Sequence, residues 1–472
     1  MTDTELYRQL LGLTAPWQVS RVELNIAQQE VRVHVSYDFA QPHLLCPECG
    51  QPGPYYDLRE ERAWRHLDSC QFQTFLVARL PRIECREHGV KTIAAPWCEP
   101  HSRFTLAFEC FALAVLTATG VQARAAALLR LSPTQVQELM ARAVDRGLAR
   151  RDRQQPLPHL SLDEKSFKQG HHYISVLGDS LGKGVLDVVE GRTLEAAKSL
   201  LQNSLSSSQR AGVASVSMDM WPAFAGAKAQ VLPQAQTVHD RFHIAGYLSD
   251  AVDKTRRDES RTLAKAGASP LVKNLLVKNL LVKNPLVKNP LVKSKWLWLR
   301  SPEKLTDKQR ALFTALQAHD LETSKVWSFK EAFRDFFSAG SVSEGEAFFW
   351  NWYEQAQALG NKHLTKVAQM LCEHLPGLLA YLQHRTSNAV AEGLNAQIQL
   401  IKARARGFRR FAQFRIAILF FLGKLDMNPH KTRKTLKFFH KCFINGGIIV
   451  LEMTRLPNGR LPVKTGLVWM RA

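Results

Sequence analysis

The stretch Leu160-Ser-Leu-Asp163 is an apolar run that ends in an aspartate, and Val213-Ala-Ser-Val-Ser-Met-Asp219 repeats this arrangement. Both runs are typical of buried β-strands. Each aspartate therefore lies where the carboxyl edge of a sheet would present it, and adjacent strands could bring both carboxylates to one metal cluster. Further strands are predicted near 173–177, 185–189 and 236–238, and a helix over 193–205. This β-β-β-α-β order is the plan of a ribonuclease-H-like α/β core.

A third acid, Glu392, is predicted on a helix from Ser387 to about Arg406. The helix has an apolar stripe for packing and an opposite polar stripe for chemistry, at three- and four-residue steps. The apolar stripe is Val390, Leu394, Ile398 and Ile401, and the polar stripe is Asn388, Glu392, Asn395, Gln399, Lys402 and Arg406. From the polar stripe, Asn395, Lys402 and Arg406 are predicted to bind DNA phosphates.

The three carboxylates together predict phosphodiester chemistry. Two Mg²⁺ (or Mn²⁺) ions about 3.5–4 Å apart, held by carboxylate oxygens, activate the attacking oxygen and stabilise the leaving one. A single acid is more often a solvated or capping residue. The order of strand, strand and helix is what selects Asp163, Asp219 and Glu392 as the predicted catalytic metal ligands.

Two pairs of metal-binding residue types precede this core. Cys46-Pro-Glu-Cys49 and Cys85-Arg-Glu-His88 have the same spacing, and together they form a Cys₃His set suited to tetrahedral zinc. Four protein ligands leave no open position, so this zinc would be structural. The alternatives are unrelated buried cysteines, or a set in which Cys70 or Cys98 replaces one ligand.

Residues 121–146 have the pattern of a helix-turn-helix, with helices over 123–129 and 134–144 around a turn at 130–133. Ser132 is predicted to cap the second helix, with Pro133 in its first turn. Polar residues suited to base edges or phosphates are Thr134, Gln135, Gln137, Glu138 and Arg142. An ordinary helical hairpin is the alternative.

The charge balance indicates a polyanionic partner. Lysine and arginine number 63 against 42 acidic residues, a net charge of +21 over 472 residues, and the basic residues cluster within 142–153 and 402–415.

The longest apolar runs, such as 416–422, are far shorter than the roughly 20 residues that span a bilayer. The N-terminus is polar and acidic, unlike a secretory signal. We therefore expect a cytoplasmic, nucleoid-associated protein with reduced cysteines.

These patterns predict a multidomain α/β protein. A tandem repeat over 270–294 has Leu-Val-Lys starting at 271, 276, 281, 286 and 291, and Pro285 and Pro290 would interrupt any helix there. We interpret it as a slipped duplication tolerated in a surface loop. The predicted domains are a β-rich zinc-ribbon module (1–100), a helix-turn-helix region (101–152), the first part of the core (153–245), a mostly helical insertion (246–385), the core helix with Glu392 (386–435) and a tail of unknown role (436–472).

At these motifs the chain resembles the ISL-three family of bacterial insertion-sequence transposases, over about residues 40–430. The segments that carry the resemblance are the zinc residues, the helix-turn-helix, Leu162-Asp-Glu-Lys165 with Gly170 and Tyr173, Met218-Asp-Met-Trp-Pro222, His239-Asp-Arg-Phe-His243, and Ser387-Asn-Ala-Val-Ala-Glu-Gly-Leu-Asn395 leading to Gly407-Phe408. The second zinc pair departs from the family pattern, since it is Cys-x-x-His rather than Cys-x-x-Cys.

The resemblance implies a DDE-type ribonuclease-H-like domain with a helical insertion, and it gives Asp163, Asp219 and Glu392 the metal-ligand role. It also implies that the zinc and helix-turn-helix modules recognise terminal inverted repeats. The predicted function is DNA strand cleavage and strand transfer on element ends and target DNA, by a homodimer or larger assembly that holds two ends. The alternatives are a DNA-binding regulator without catalysis and a ribonuclease-H-like nuclease or junction resolvase.

Overall fold

A computed structural model describes residues 2–39, 44–168, 170, 172–239, 241–265, 291–318, 320–385 and 389–429, together with the backbone of two further strands, 439–444 and 447–452. The chain divides into two compact units. The first comprises residues 1–149 and 426–472, and the second comprises residues 150–425.

The first unit begins with helix α1 (Asp3–Leu11) and small β-sheets. Strands β1 and β2 pair as an antiparallel hairpin, β2 runs parallel to β7, and β6 completes the four-stranded sheet. Its core contains Trp17 and Trp64, whose rings both meet Trp97 edge-on. The strands are β1 (Trp17–Asn25), β2 (Glu30–Tyr37), β3 (Leu44–Leu45), β4 (Pro52–Gly53), β5 (Tyr55–Leu58), β6 (Arg62–Arg65), β7 (Gln73–Ala78), β8 (Pro81–Cys85) and β9 (Gly89–Thr92).

Three helices follow, α2 (Leu106–Thr119), α3 (Gln122–Leu129) and α4 (Pro133–Arg150). The predicted cap of α4 is confirmed, because the Ser132 hydroxyl accepts from the Gln135 amide at 3.2 Å while the Gln135 side chain accepts from the Ser132 amide at 2.9 Å. Between α3 and α4 the chain turns at Arg130, which adopts the left-handed conformation at φ 52°.

The second unit is built on a five-stranded mixed sheet, so the predicted α/β class is confirmed. Its order is β12-β11-β10-β13-β14; the first three strands are antiparallel, and β13 and β14 run parallel to β10. All five predicted strands are present. They are β10 (His159–Lys168), β11 (His172–Asp179), β12 (Gly184–Glu190), β13 (Ser215–Met218) and β14 (Gln236–His239).

Strand β10 does not end at Asp163 as predicted, but continues to Lys168. The pairing explains the difference. Parallel pairing with β13 stops at Leu162 opposite Met218, whereas antiparallel pairing with β11 continues to Lys168 opposite His172. Asp163 therefore lies where β10 loses one of its two neighbours, which leaves its side chain at the edge of the parallel part of the sheet.

Helices cover both faces of this sheet. Leu160 and Leu162 point into a core shared with α5 (Leu194–Ser204) and α7 (Pro222–Val231). The short helix α6 (Ser207–Ala211) lies between α5 and β13 in the chain. Alternate residues such as Ser161 and Asp163 point to the opposite face, where α15 (Ala389–Arg404) and α16 (Phe411–Leu422) pack. The predicted start of α15 at Ser387 and Asn388 lies outside the described residues.

Between β14 and α15 the described residues are helical. Their core is rich in aromatic side chains, among them Trp298, Phe333, Phe336 and Phe349, each at most 1% exposed. The helices are α8 (Arg241–Lys265), α9 (Lys295–Leu299), α10 (Asp307–Gln317), α11 (Glu322–Ala332), α12 (Val342–Ala358), α13 (Lys362–Glu373) and α14 (Leu375–His384), with short 3₁₀ turns at Pro302–Lys304 and Phe333–Ser338. Within the part of the chain that is described, no helix has the length and apolarity needed to cross a membrane.

The last copy of the tandem repeat belongs to this helical core. Residues 266–290, which hold the first four copies, lie outside the described residues, whereas Leu291 at the start of the fifth copy is fully buried. The Leu291 carbonyl accepts a hydrogen bond from Arg256 Nη1 at 3.1 Å. The interpretation of the repeat as a surface loop is therefore wrong for Leu291, whose burial depends on long-range packing that a period-five pattern does not reveal.

Deletion of residues 271–290, which removes four copies and keeps the fifth, is expected to leave the thermal unfolding midpoint within about 4 °C. Loop-closure free energy changes by only about 0.6 kcal/mol per doubling of loop length. As a matched control, Leu291→Ala should destabilise the protein by about 2–5 kcal/mol, since it creates a cavity in the core. Calorimetry of both variants checks this, and a large loss of stability on deletion would show that the first four copies take part in the fold.

Candidate active site and metal centre

Two of the predicted catalytic acids lie on neighbouring strands. Leu162 on β10 is aligned with Met218 on β13, and Asp163 and Asp219 are the next residues of these two parallel strands. Asp163 is 8% exposed, and the side chain of Asp219 is 24% exposed. The sheet thus brings two carboxylates from distant parts of the chain to one edge.

Helix α15 contacts this edge through Asn395. Its Nδ2 donates to Asp163 Oδ2 at 2.6 Å, and Asn395 is itself buried. Glu392, which is exposed, lies three residues earlier and therefore on the same side of α15. Asn395 was predicted to bind phosphate, but the structure instead gives it a hydrogen bond that orients the Asp163 carboxylate.

The other two predicted phosphate-binding residues of this helix differ in their surroundings. Lys402 donates from Nζ to the Ser166 carbonyl at 3.2 Å, so it ties the helix to the end of β10. Arg406 is exposed and adopts the left-handed conformation at φ 55°, followed by Gly407 at φ 94°. Arg406 is the more exposed of the two side chains.

Helix α8 contacts Asp219 through two residues one turn apart. The Tyr247 hydroxyl donates to Asp219 Oδ1 at 3.3 Å, and His243 Nδ1 lies 3.7 Å from Oδ2. Burial, together with the nearby Asp219 carboxylate, raises the pKa of Tyr247 to about 12, so the hydroxyl stays protonated at neutral pH. Sequence reasoning singled out the segment that contains His243 but missed Tyr247, although the four-residue spacing from His243 could have identified it.

His239 ends β14 in register with Met218, next to the same edge. Burial, with His374 edge-on at 4.9 Å, lowers the pKa of His239 to about 4, so its ring is neutral. Gly377 packs against this ring, and a Cβ there would lie 2.3 Å from His239 Cδ2. A side chain at position 377 would therefore displace His239 and disturb the edge of the sheet.

The first unit brings the four predicted zinc ligands together. The ligand atoms of Cys46, Cys49, Cys85 and His88 all lie within 4.8 Å of one another. Cys49 Sγ is 3.6 Å from Cys85 Sγ, and Cys85 Sγ is 3.6 Å from His88 Nδ1. Ligands arranged tetrahedrally at about 2.3 Å from an ion lie about 3.8 Å apart, so this group fits zinc.

The surroundings of the group support this fit. The Glu48 carboxylate lies 3.5 Å from His88 Nε2, a carboxylate–histidine contact of the kind that orients a metal-binding imidazole through its other nitrogen. Lys91 forms a salt bridge with Glu48, with 2.7 Å between Lys91 Nζ and Glu48 Oε1. Neither Cys70 nor Cys98 belongs to the group.

No comparable cluster forms at the sheet edge. Among the described residues, the Cys₃His set is the one group of three or more histidine, cysteine or acidic side chains whose ligand atoms converge in this way. Asp163 and Asp219 instead lie at one edge of the sheet, where they offer the hard oxygen ligands that Mg²⁺ prefers, and Glu392 lies on α15 one turn before Asn395.

The predicted DNA-contacting residues of α4 fall into two groups. Thr134 and Glu138 are exposed, and Gln135 takes part in the cap of the helix. The other two make contacts inside the module. Gln137 Oε1 accepts from Gln122 Nε2 at 3.4 Å, and Arg142 donates to Ser102 Oγ at 2.8 Å and pairs with the buried Glu109 carboxylate. We therefore assign Arg142 a structural role and leave it out of the DNA-binding face.

Comparison with known proteins places this arrangement in a family. The model for the ISL3 (ISL-three) DDE family, described as "Transposase", matches residues 160–418, more than half of the chain. The chain belongs to the ISL3 transposase family. A second model, the zinc-finger of transposase IS204/IS1001/IS1096/IS1165, matches residues 44–88 and so spans both pairs of zinc-ligand candidates. The DDE match covers Asp163, Asp219 and Glu392.

Similar proteins include transposases of two insertion sequences. The chain is 27% identical over 420 residues to the transposase for insertion sequence element IS1557 of Mycobacterium tuberculosis, covering 87% of this chain and 93% of that protein. It is 29% identical over 374 residues to the transposase for IS1001 of Bordetella parapertussis, covering 78% of this chain and 86% of that protein. The similarity therefore extends over both units of this family member.

Proposed function

We propose that this family member is the transposase of an insertion sequence, which cuts DNA at the ends of its element and joins them to target DNA. The observation that carries the proposal is that Asp163 and Asp219 directly follow the aligned pair Leu162 and Met218 of two parallel strands, with Asn395 of α15 hydrogen-bonded to Asp163. The sheet order, with three antiparallel strands followed by two parallel ones, supports a ribonuclease-H-like core.

The three acids would hold two Mg²⁺ or Mn²⁺ ions. Such ions activate an attacking water or 3′-hydroxyl and stabilise the leaving oxygen. Neighbouring side chains would orient the carboxylates that hold these ions. Asn395 orients the Asp163 carboxylate, and Tyr247 with His243 orients that of Asp219. Contacts of this kind restrict the carboxylates, which would favour a defined metal geometry.

The first unit would recognise the terminal inverted repeats. Zinc held by the Cys₃His group would stabilise a module too small for a large core of its own. Helices α3 and α4 would form the helix-turn-helix, with Thr134 and Gln135 at the start of the recognition helix, where such helices contact base edges, while Gln137 contacts Gln122. Arg406 would bind DNA phosphate in the catalytic unit, and Lys402 would support it from β10. Since transposition joins two ends, we expect at least a homodimer.

The proposal is tested by strand transfer in vitro. The purified protein is incubated with a labelled duplex that carries the terminal repeat of its own element, a supercoiled target plasmid, and Mg²⁺ or Mn²⁺. We expect nicking at the repeat and covalent joining of the labelled strand to the plasmid. Binding without nicking at any metal concentration would indicate a regulator. Nicking without joining would indicate a nuclease or resolvase.

A further inference from the structure

Beside Asp219, a side-chain cluster holds an exposed tryptophan in one orientation. Trp221 lies two residues after Asp219 and donates from Nε1 to the Arg192 carbonyl at 3.2 Å. The Arg192 guanidinium lies 4.9 Å from the Trp221 ring centroid. The residue is nevertheless 39% exposed. Trp221 therefore offers indole surface to solvent next to the proposed catalytic acids.

The Arg192 guanidinium, which contacts the Trp221 ring, also interacts with Tyr173 and Glu164. The guanidinium lies 4.0 Å from the Tyr173 ring centroid, and Nη1 donates to both oxygens of Glu164 at 3.0 and 3.2 Å. Glu164 directly follows Asp163 in β10. Glu164, Arg192 and Tyr173 thus build a preformed support for Trp221, and the metal chemistry proposed above uses none of them.

A second exposed aromatic side chain lies on α8, the helix that contacts Asp219 through His243 and Tyr247. Phe242, in the first turn of α8, is 64% exposed and precedes His243, which contacts Asp219. Large aromatic residues are usually mostly buried in soluble proteins. Exposed aromatic rings beside a site that handles nucleic acid are surfaces on which bases stack, whatever their sequence, because every base has a π face.

We propose that Trp221, assisted by Phe242, stacks against an unpaired base of the DNA end beside the phosphodiester that is cut. This inference rests on the proposed function, which brings a duplex end to Asp219. Enzymes that act within a duplex extrude or unstack nucleotides near the reacting group, and stacking on an aromatic ring compensates for part of the lost base stacking. The net charge of +21 favours DNA over an apolar protein partner as the occupant.

The experiment compares two labelled terminal-repeat duplexes, one fully paired and one with mismatched base pairs on either side of the cut. The variants are Trp221→Ala, Trp221→Phe and, as a matched control, Trp296→Ala. Trp296 is likewise exposed, at 61%, and the Lys295 ammonium lies 5.2 Å from its ring centroid. Unlike Trp221, Trp296 belongs to the helical insertion. Cleavage rate, end affinity and permanganate reactivity of a thymine at the cut are measured.

We expect Trp221→Ala to slow cleavage of the paired end about 10-fold or more, the size of effect typical for removing a base-stacking aromatic ring. On the mismatched end the loss should be no more than about 3-fold, because the cost of unpairing is already absent. Trp221→Phe should recover most of the rate, and Trp296→Ala should match the unchanged protein. In a Ca²⁺ complex that binds without cutting, permanganate reactivity of the thymine should differ between Trp221→Ala and the unchanged protein.

Three results would overturn the inference. The first is equal cleavage of the paired end by Trp221→Ala and the unchanged protein. The second is an equal loss on both duplexes with no recovery by Trp221→Phe, which would mean that Trp221 acts only through the fold around Arg192. The third is unchanged permanganate reactivity of the thymine in Trp221→Ala, which would mean that Trp221 does not contact the base at the cut. Failure of the unchanged protein to cut either duplex would instead remove the proposed function, and this inference with it.

Discussion

Replacement of Asp163 or Asp219 by asparagine, or of Glu392 by glutamine, is expected to abolish DNA cleavage while end affinity stays within about 3-fold. Each change removes a hard anionic ligand but leaves the basic surface and the first unit intact. Bound metal ions stabilise the transition state by several kcal/mol, and each 1.36 kcal/mol is a factor of ten in rate, so a loss of about 10³-fold or more follows. Single-turnover cleavage and gel-shift assays on one terminal-repeat duplex measure both quantities.

Two further variants separate metal ligation from general damage. Glu190→Gln replaces an exposed acid at the end of β12, away from the aligned aspartates, and should cut normally. Asp219→Cys should cut better with Mn²⁺ than with Mg²⁺, because a thiolate is a softer ligand than a carboxylate. Retained cutting by any one of the three acid-to-amide variants would remove that residue from the proposed catalytic set.

Cys46→Ser or Cys85→Ser is expected to unfold the zinc module and to weaken specific end binding by at least about 100-fold. Structural zinc contributes folding free energy on the order of 10 kcal/mol in small sites, far more than a module of short strands obtains from its own core. Both residues are nearly fully buried, at 2% and 6% exposed, so an unpaired serine hydroxyl in their place is also unfavourable. Metal analysis and end-binding titrations check this prediction.

The controls for the zinc prediction come from the same module. Cys70→Ser, at an exposed cysteine outside the group, should retain zinc and binding. His88→Cys should also retain zinc, because Cys₄ sites are tetrahedral and structural as well. Protein purified without chelator that contains less than one zinc ion per chain would contradict the prediction, as would normal binding by Cys46→Ser.

Local patterns in the sequence were enough to predict the elements of the fold. Alternation and apolar runs identified all five strands of the central sheet, and Ser132-Pro133 identified the start of α4. Strand period, capping and turn preferences depend on near neighbours in the chain, which the sequence displays directly. The spacing within each zinc pair is equally local, so the identities of those residues could be read without a structure.

The sequence alone did not determine which residues of those elements contact one another in the fold. Three contacts depend on residues that are distant in the chain. They decide that neither Cys70 nor Cys98 joins the zinc group, that Asn395 contacts Asp163, and that Arg142 contacts Glu109. The same holds for Tyr247, which meets Asp219 only because α8 packs beside the sheet. Side-chain period shows which face of an element is apolar, but not which partner that face meets.

Asp163 and Leu291 show this division most directly. An apolar run ending in an acid was sufficient to single out Asp163, but its place at the edge of the parallel pairing comes from β13, whose register stops one residue earlier. The repeat was interpreted as a surface loop because Pro285 and Pro290 would interrupt a helix, yet Leu291 is buried and Arg256 donates a hydrogen bond to its carbonyl. A local repeat does not predict the burial of Leu291, because burial is a property of the contacts that the whole chain supplies.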